Sequence, residues 1–234
     1  MKTSNLKRIG RPGILWFAFA ALTVIFTSCS KIGNDDVLVG EAKVIIVNAA
    51  AGSAAQDFYL ENVKINTTAV AYSQPTPYMS AQAGYSRKAE FRDSGSATVN
   101  FTGYLDILPN RTYTFFFITK ADGTGTSSAA FSDETNNPSA TKARVRFVNL
   151  ASGLTAANLL IVGGATIASN VAFGSASDYS DVDPGTLNLQ TSLAGEGAAS
   201  SDLGGFTLQR GKTYTIYTSG SLATAVTASL ITHN

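Results

Sequence analysis

The chain repeats itself at a distance of 101 residues, and this constrains its fold more than any single motif does. Ala42-Lys43-Val44-Ile45-Ile46-Val47-Asn48 lies over Ala143-Arg144-Val145-Arg146-Phe147-Val148-Asn149. The same offset sets Val70-Ala71-Tyr72 over Val171-Ala172-Phe173, Tyr78 over Tyr179, Gly84 over Gly185 and Gly103 over Gly204. It also sets Arg111-Thr112-Tyr113-Thr114 over Lys212-Thr213-Tyr214-Thr215. Two tandem copies of ordinary domain size follow, residues 42–132 and 143–234. Residues 133–142 contain no large apolar side chain and read as the linker between them.

Within each copy the hydrophobic period is two. Ala143, Val145 and Phe147 alternate with Arg144 and Arg146, and Tyr214 and Ile216 alternate with Thr213 and Thr215. This is the pattern of a half-buried strand whose threonines face water. Turn signals recur between the runs: Glu61-Asn62, Asp93-Ser94-Gly95, Gly163-Gly164, Pro184-Gly185 and Arg210-Gly211. No stretch after the leader shows a helical apolar stripe, so the expectation is an all-β chain. In both copies a tyrosine, Tyr113 or Tyr214, opens a strand after a leucine and a turn. That spacing fits a tyrosine corner, whose phenol bonds the backbone upstream and closes a Greek-key connection. Two tandem immunoglobulin-like antiparallel β-sandwich domains are therefore expected.

The first residues read as an address. Lys2, Lys7, Arg8 and Arg11 precede the apolar run Ile14–Phe26, and Thr27-Ser28-Cys29 follows it. The run is too short to span a bilayer as a helix, which needs about 20 residues. A basic start, a short apolar run and small residues at the end describe a secretory signal. Thr27-Ser28-Cys29 resembles the lipobox of bacterial lipoproteins, which implies a signal peptide over residues 1–28 and a lipid on Cys29. Residues 29–41 would be the tether, and Asp35-Asp36 within it resembles the acidic surface-export signals of Bacteroidetes lipoproteins. Of the 17 Lys/Arg, four fall in residues 1–28, whereas none of the 16 Asp/Glu do, so the remainder carries a net charge of −3.

Composition removes several functions. Charged residues make up 14% of the chain and its net charge is +1, which argues against a nucleic-acid binder. One cysteine rules out a disulfide within the chain, and with one histidine it rules out Cys/His zinc sites. That histidine, His233, is the penultimate residue, where fraying is the default, so a Ser-His-Asp arrangement is not expected. Asp178, Asp181 and Asp183 are the only carboxylate cluster that suggests a cation such as calcium. The first copy has no acids at the matching positions, so a turn role before Pro184-Gly185 is the simpler reading. Tyr78, Tyr85 and Tyr179 are the candidates for a sugar-binding face. Arg87, Lys88 and Arg92 read as a solvated basic face. Gly195 to Ser200 reads as a long loop, and Asn66, Asn100 and Asn110 each open an Asn-x-Thr sequon.

Arg-Val-Arg-Phe-Val-Asn from Arg144, Asn170-Val171-Ala172-Phe173-Gly174-Ser175-Ala176-Ser177-Asp178-Tyr179, Pro184-Gly185-Thr186 and Gly211-Lys212-Thr213-Tyr214-Thr215 together resemble one bacterial family. It is the domain of unknown function 4397 family, common in Bacteroidetes lipoproteins. The second copy matches nearly throughout and the first more loosely, with Pro75-Thr76-Pro77 breaking its strand. The resemblance implies surface-exposed immunoglobulin-like sandwiches with no assigned catalytic residues. The expected protein is a non-catalytic, cofactor-free outer-membrane lipoprotein of the cell envelope, a binding, adhesion or scaffolding module. Its expected partners are the membrane, through its lipid, and a surface protein or glycan. The alternative is a glycan-binding accessory lipoprotein of a polysaccharide uptake system.

Overall fold

The computed structural model describes residues 38–195 and 200–234. The expected signal peptide, Cys29 and loop residues 196–199 lie outside them. Regular structure among the described residues is all strand. The first copy contributes β1 (Glu41–Asn48), β2 (Gln56–Leu60), β3 (Val63–Lys64), β4 (Met79–Gln82), β5 (Gly84–Asp93), β6 (Val99–Ile107), β7 (Thr112–Thr119) and β8 (Thr126–Ser132). The second contributes β9 (Ala143–Asn149), β10 (Ala156–Ile161), β11 (Thr166–Ala172), β12 (Ser175–Ala176), β13 (Ser180–Val182), β14 (Gly185–Leu193), β15 (Ser200–Leu208), β16 (Thr213–Ser221) and β17 (Ala225–Thr232).

Each copy builds two sheets. In the first copy one sheet runs β4-β1-β7-β8 and the other β3-β2-β5-β6; in the second they run β12-β9-β16-β17, with β13 also on β9, and β11-β10-β14-β15. All pairings are antiparallel except β1 with β7 and β9 with β16. The sheets containing β1 and β9 are the inner pair, because they pack on each other as well as on their own partner sheets. Val44, Ile46, Phe115 and Phe117 face Phe58 and Phe91 of their own outer sheet. The alternate residues Ile45, Val47, Phe116 and Ile118 face Val148, Leu150, Tyr217 and Ile231 of the second copy. Outer, inner, inner and outer sheets thus form four layers around three buried clusters.

The inner sheets correct the expectation that strand threonines face water. Thr114, Thr213 and Thr215 are fully buried, because the face that alternation assigns to solvent meets the other copy. A sequence signal for this exists in Phe115-Phe116-Phe117-Ile118 and Val44-Ile45-Ile46-Val47: unbroken apolar runs mark strands covered on both faces. Each such Phe or Ile contributes about 1.5–3 kcal/mol through burial. The expected tyrosine hydrogen bonds are present in both copies. Leu108 N–H donates to Tyr113 Oη at 3.1 Å and Gln209 N–H to Tyr214 Oη at 3.0 Å.

The offset of 101 holds where β1 and β9 pair with β7 and β16, as Ile45↔Thr114 and Arg146↔Thr215 show. It is not constant. β8 and β17 differ by 100, since Thr114 pairs with Phe131 and Thr215 with Ile231. Between the equivalent pairs Thr119↔Thr126 and Gly220↔Val226, the first copy encloses one residue more than the second. Asp133 and His233 therefore occupy equivalent positions, donating their N–H groups to Thr112 O at 2.8 Å and Thr213 O at 2.9 Å.

Equivalent residues also meet across the inner sheets. Phe116 and Tyr217 lie edge to face with centroids 5.1 Å apart. At one end the turns Ala121–Gly123 and Ser221–Ala223 flank one groove, and at the other Asp133 approaches His233. The copies are thus related by a local pseudo-twofold running along the strands. Every described strand pairs within residues 41–232.

Candidate functional site

At the end where Asp133 and His233 meet, three pseudo-equivalent pairs close on one another: Tyr78 with Tyr179, Thr114 with Thr215, and Asp133 with His233. Arg146, whose counterpart is Ile45, joins them from β9. The Asp133 carboxylate is closed to solvent and accepts from Arg146 Nη2 at 2.7 Å. Its other oxygen accepts from Tyr78 Oη at 3.0 Å and Thr114 Oγ1 at 2.8 Å. His233 Nδ1 lies 2.7 Å from Tyr78 Oη, and Nε2 lies 2.7 Å from Thr215 Oγ1.

These partners assign the protons. Tyr78 spends its proton on Asp133, so His233 must donate Nδ1–H to the Tyr78 oxygen. Thr215 Oγ1 accepts from Arg146 Nε at 3.2 Å and Nη2 at 3.0 Å, and its own proton goes to Nε2. The imidazole is therefore neutral and fully bonded. Burial pushes its pKa down to about 4 against the pull of Asp133, and Arg146 adds to the fall. Burial, reinforced by Asp133, raises the Tyr78 phenol far above its usual range. Tyr179 is raised too, chiefly by burial, with Arg146 opposing.

The chain of hydroxyl, imidazole and acid has the connectivity of a nucleophilic relay. Thr215 and the His233 side chain, however, are closed to solvent. The arrangement holds two domains together through groups that all have partners, the condition under which a buried polar network stabilises. His233 is thus not at a frayed end, contrary to the sequence expectation, because the last strand and Asn234 tie it down. Asn234 Oδ1 accepts from Thr213 N at 2.7 Å. Asp133 is likewise no solvated linker residue.

Beside this knot opens a polar groove of about 450 Å³, walled by Phe131, Ser132 and Glu134 on one side and by Arg144, Arg146 and Ala176–Tyr179 on the other. The Arg146 guanidinium lies 4.9 Å from the Tyr179 ring centroid and 5.6 Å from that of Phe131. Arg144 adds a second guanidinium 5.8 Å from Tyr179 and binds Glu134 at 2.8 Å. Glu134 and Asp178 are exposed, so the groove offers both acceptors and donors around an aromatic ring.

The remaining candidates are scattered. Asp181 faces Arg144 at 3.3 Å and Asp183 faces Lys142 at 2.6 Å. Among the described residues no group of three or more His, Cys, Asp or Glu converges as a metal site. Tyr78 is absorbed into the knot, Tyr179 edges the groove, and Tyr85 stands exposed elsewhere. The basic face is paired: Lys88 and Arg92 both bind the buried Glu90, whose carboxyl they hold below its ordinary pKa. Asn66, the first sequon, is buried. It replaces a strand backbone by accepting from Phe58 N at 2.7 Å and donating to Gln56 O at 3.2 Å. Where the second copy has β11, the first therefore has a loop and an apolar groove of about 380 Å³ lined by Ile65, Val70, Pro75, Pro77 and Met79.

Comparison with known proteins places these observations. The sequence profile of Domain of unknown function (DUF4397) matches residues 42–159 and again 153–234. No curated protein matches the chain. Among solved structures, the Bacillus anthracis TIE protein is 9% identical with a TM-score of 0.24, over 77% of this chain and 33% of its own. The chain thus spans about a third of the length of that protein. A proposed cell adhesion protein from Bacteroides eggerthii is 11% identical with a TM-score of 0.20, over 85% of this chain and 97% of its own.

Proposed function

The chain belongs to the DUF4397 family, and on that premise we propose that it is a non-catalytic binding module of the bacterial cell envelope, held to the outer membrane by a lipid on Cys29. The observation that carries the binding reading is the groove beside Tyr179. It is built by both copies, so it exists only in the assembled pair. Its exposed Glu134 and Asp178 and its half-buried Arg144 are hydrogen-bonding groups held on strand ends and short connections. The one imidazole of the chain is committed to the knot, which favours recognition over reaction.

Each copy reads as an immunoglobulin-like sandwich. Supporting this, the first and seventh strands of the first copy pair in parallel inside an otherwise antiparallel sheet, and a tyrosine closes the connection before β7. The Bacteroidetes-type surface address rests on Thr27-Ser28-Cys29 and Asp35-Asp36.

The anchor is tested by detergent phase partition of wild type and Cys29→Ala expressed in a diderm bacterium; equal recovery in the aqueous phase refutes it. The groove is tested by displaying the protein to glycan arrays and to cell-surface proteins, with a Glu134→Ala/Asp178→Ala variant that leaves the knot intact. A surface-protein signal lost in that variant supports adhesion or scaffolding. A glycan signal lost in it moves the role to polysaccharide capture, and signals that persist refute the groove.

A further inference from the structure

The chain enters the four-layer body at the end that carries the knot. Ala83 N–H donates to Gly40 O at 2.9 Å and Asn110 N–H to Glu41 O at 2.9 Å, so the first described residues run beside the turn before β7. Because the pseudo-twofold runs along the strands, the equivalent turn of the second copy points the same way. Lys43 N–H bonds Arg111 O at 2.9 Å in one copy, and Arg144 N–H bonds Lys212 O at 2.9 Å in the other.

This end is basic. Lys43, Arg111, Arg210 and Lys212 lie on it without an ion pair to any described residue, and Lys142 is paired with Asp183. Against these five cations stand Glu41, Asp106 and Asp183, and Arg144 at the same end is matched by Glu134 and Asp181, so the excess of positive charge rests on the four unpaired cations. Glu41 is engaged by Ser80 and Gln82, and Asp106 accepts from Ser86 N. At the opposite end the turn of the first copy carries only Lys120 and Asp122, and its counterpart Ser221–Ala223 carries no charge.

The same end is also apolar where it surrounds the incoming chain. Val39 is 84% exposed, Tyr85 57% and Leu108 37%. Gly84 pairs with Ile107, so Tyr85 and Leu108, each one residue further along antiparallel strands, flank that pair on either side. Cations interleaved with an exposed tyrosine and aliphatic side chains are the composition of a surface that sits at a lipid–water boundary.

We propose that this end is a lipid-facing foot that sets the body against the anionic headgroups of the membrane holding it. The inference rests on the anchored reading. It also adds to it, since an acyl chain alone fixes distance and leaves orientation free. From Cys29 to Glu41 the chain can extend at most about 40 Å, which keeps the foot within reach of the headgroups. Charge attraction acts within a Debye length of about 8 Å at physiological salt, so it engages once the foot touches the surface. The groove beside Tyr179 would then open near the membrane plane, and the turns at Ala121–Gly123 and Ser221–Ala223 would face outward.

The test uses unacylated residues 30–234, which contain every described strand and all three buried clusters, with folding checked by circular dichroism. The expected result is co-sedimentation with vesicles of phosphatidylcholine containing 30% phosphatidylglycerol, and none with phosphatidylcholine alone. Raising the salt to 0.5 M should release the protein. Lys43→Glu/Arg111→Glu/Arg210→Glu/Lys212→Glu should weaken binding at least tenfold, Tyr85→Ser/Leu108→Ser several-fold, and Lys120→Glu at the far end not at all. Absence of binding, equal binding to neutral vesicles, or full binding by the charge-reversed variant overturns the proposal. None of these outcomes bears on acylation, which the Cys29→Ala partition reads separately.

Discussion

Lowering the pH from 7.5 to 5 should destabilise this protein through one side chain. His233 is neutral in the fold, with a pKa near 4, whereas in the unfolded chain it titrates near 6.5. Above pH 6.5 both states hold it neutral and the full contribution is present. As the pH falls from 6.5 towards 4 the unfolded chain binds a proton that the fold excludes, and stability is lost. Below about 4 the loss stops. A difference of about 2.5 units is worth about 3 kcal/mol in total, with a slope approaching 1.4 kcal/mol per pH unit inside the window. The fold excludes the proton chiefly because burial strips an imidazolium of water; in addition Nε2 accepts from Thr215, whose oxygen is already taken by Arg146, so a protonated ring would have nowhere to donate. Urea unfolding followed by far-ultraviolet circular dichroism at half-unit steps from pH 7.5 to 4.5 reads this directly. His233→Gln supplies an uncharged donor and acceptor, and its stability should be flat between pH 6.5 and 5. Glu90 does not confuse the comparison. Lys88 and Arg92 hold its carboxyl below 4.5, so its contribution is present above that value and is lost only at lower pH. Identical slopes for wild type and His233→Gln between pH 6.5 and 5 would refute the assignment.

Asp133→Ala leaves Arg146 buried without its acid and should cost about 3–5 kcal/mol in the same denaturation assay. It should also lower the single transition of both copies together, because the lost pair lies at their junction. Tyr113→Phe and Tyr214→Phe each remove one hydrogen bond to a backbone N–H, and each should cost about 1 kcal/mol; a neutral effect in both would make these tyrosines mere filling. Gly220→Ala should cost about 3 kcal/mol or more, measured as a lowered urea midpoint. Its φ is +88° and a Cβ there would sit 2.3 Å from Ala225 O.

Periodicity and the repeat made the strands and the division into copies readable, because both depend on local alternation and on self-comparison. The four layers depend on which face of a strand meets another domain, and alternation is blind to that: Thr215 reads as a solvent-facing threonine and is wholly buried. The apolar run at Phe115–Ile118 was the available clue. Tyr179 could be picked out as an aromatic, but not as the edge of a groove, since the opposite wall comes from Phe131 of the other copy and from Glu134 just after it. The pairing of Asp133 with His233 was hidden by a single residue. At constant offset Asp133 aligns with Asn234, and only the longer turn before β8 restores the true correspondence. Asn66 misled in the opposite direction, since a sequon says nothing about burial.

The facing of equivalent positions across the inner sheets sets what this chain has been free to change. In an assembly of two identical subunits, a residue on the dyad meets itself, and any substitution there appears twice. An aspartate at this position would confront a second aspartate, and a histidine a second histidine. Joining the halves in one polypeptide lifts that restriction and makes their association independent of concentration. Each mate can then take a different chemistry, as acid and imidazole have done at Asp133 and His233, and as guanidinium and alkyl have done at Arg146 and Ile45. The asymmetry that gives one side of the junction a charged groove is thus a freedom that covalent fusion confers and that self-association of a single copy would forbid.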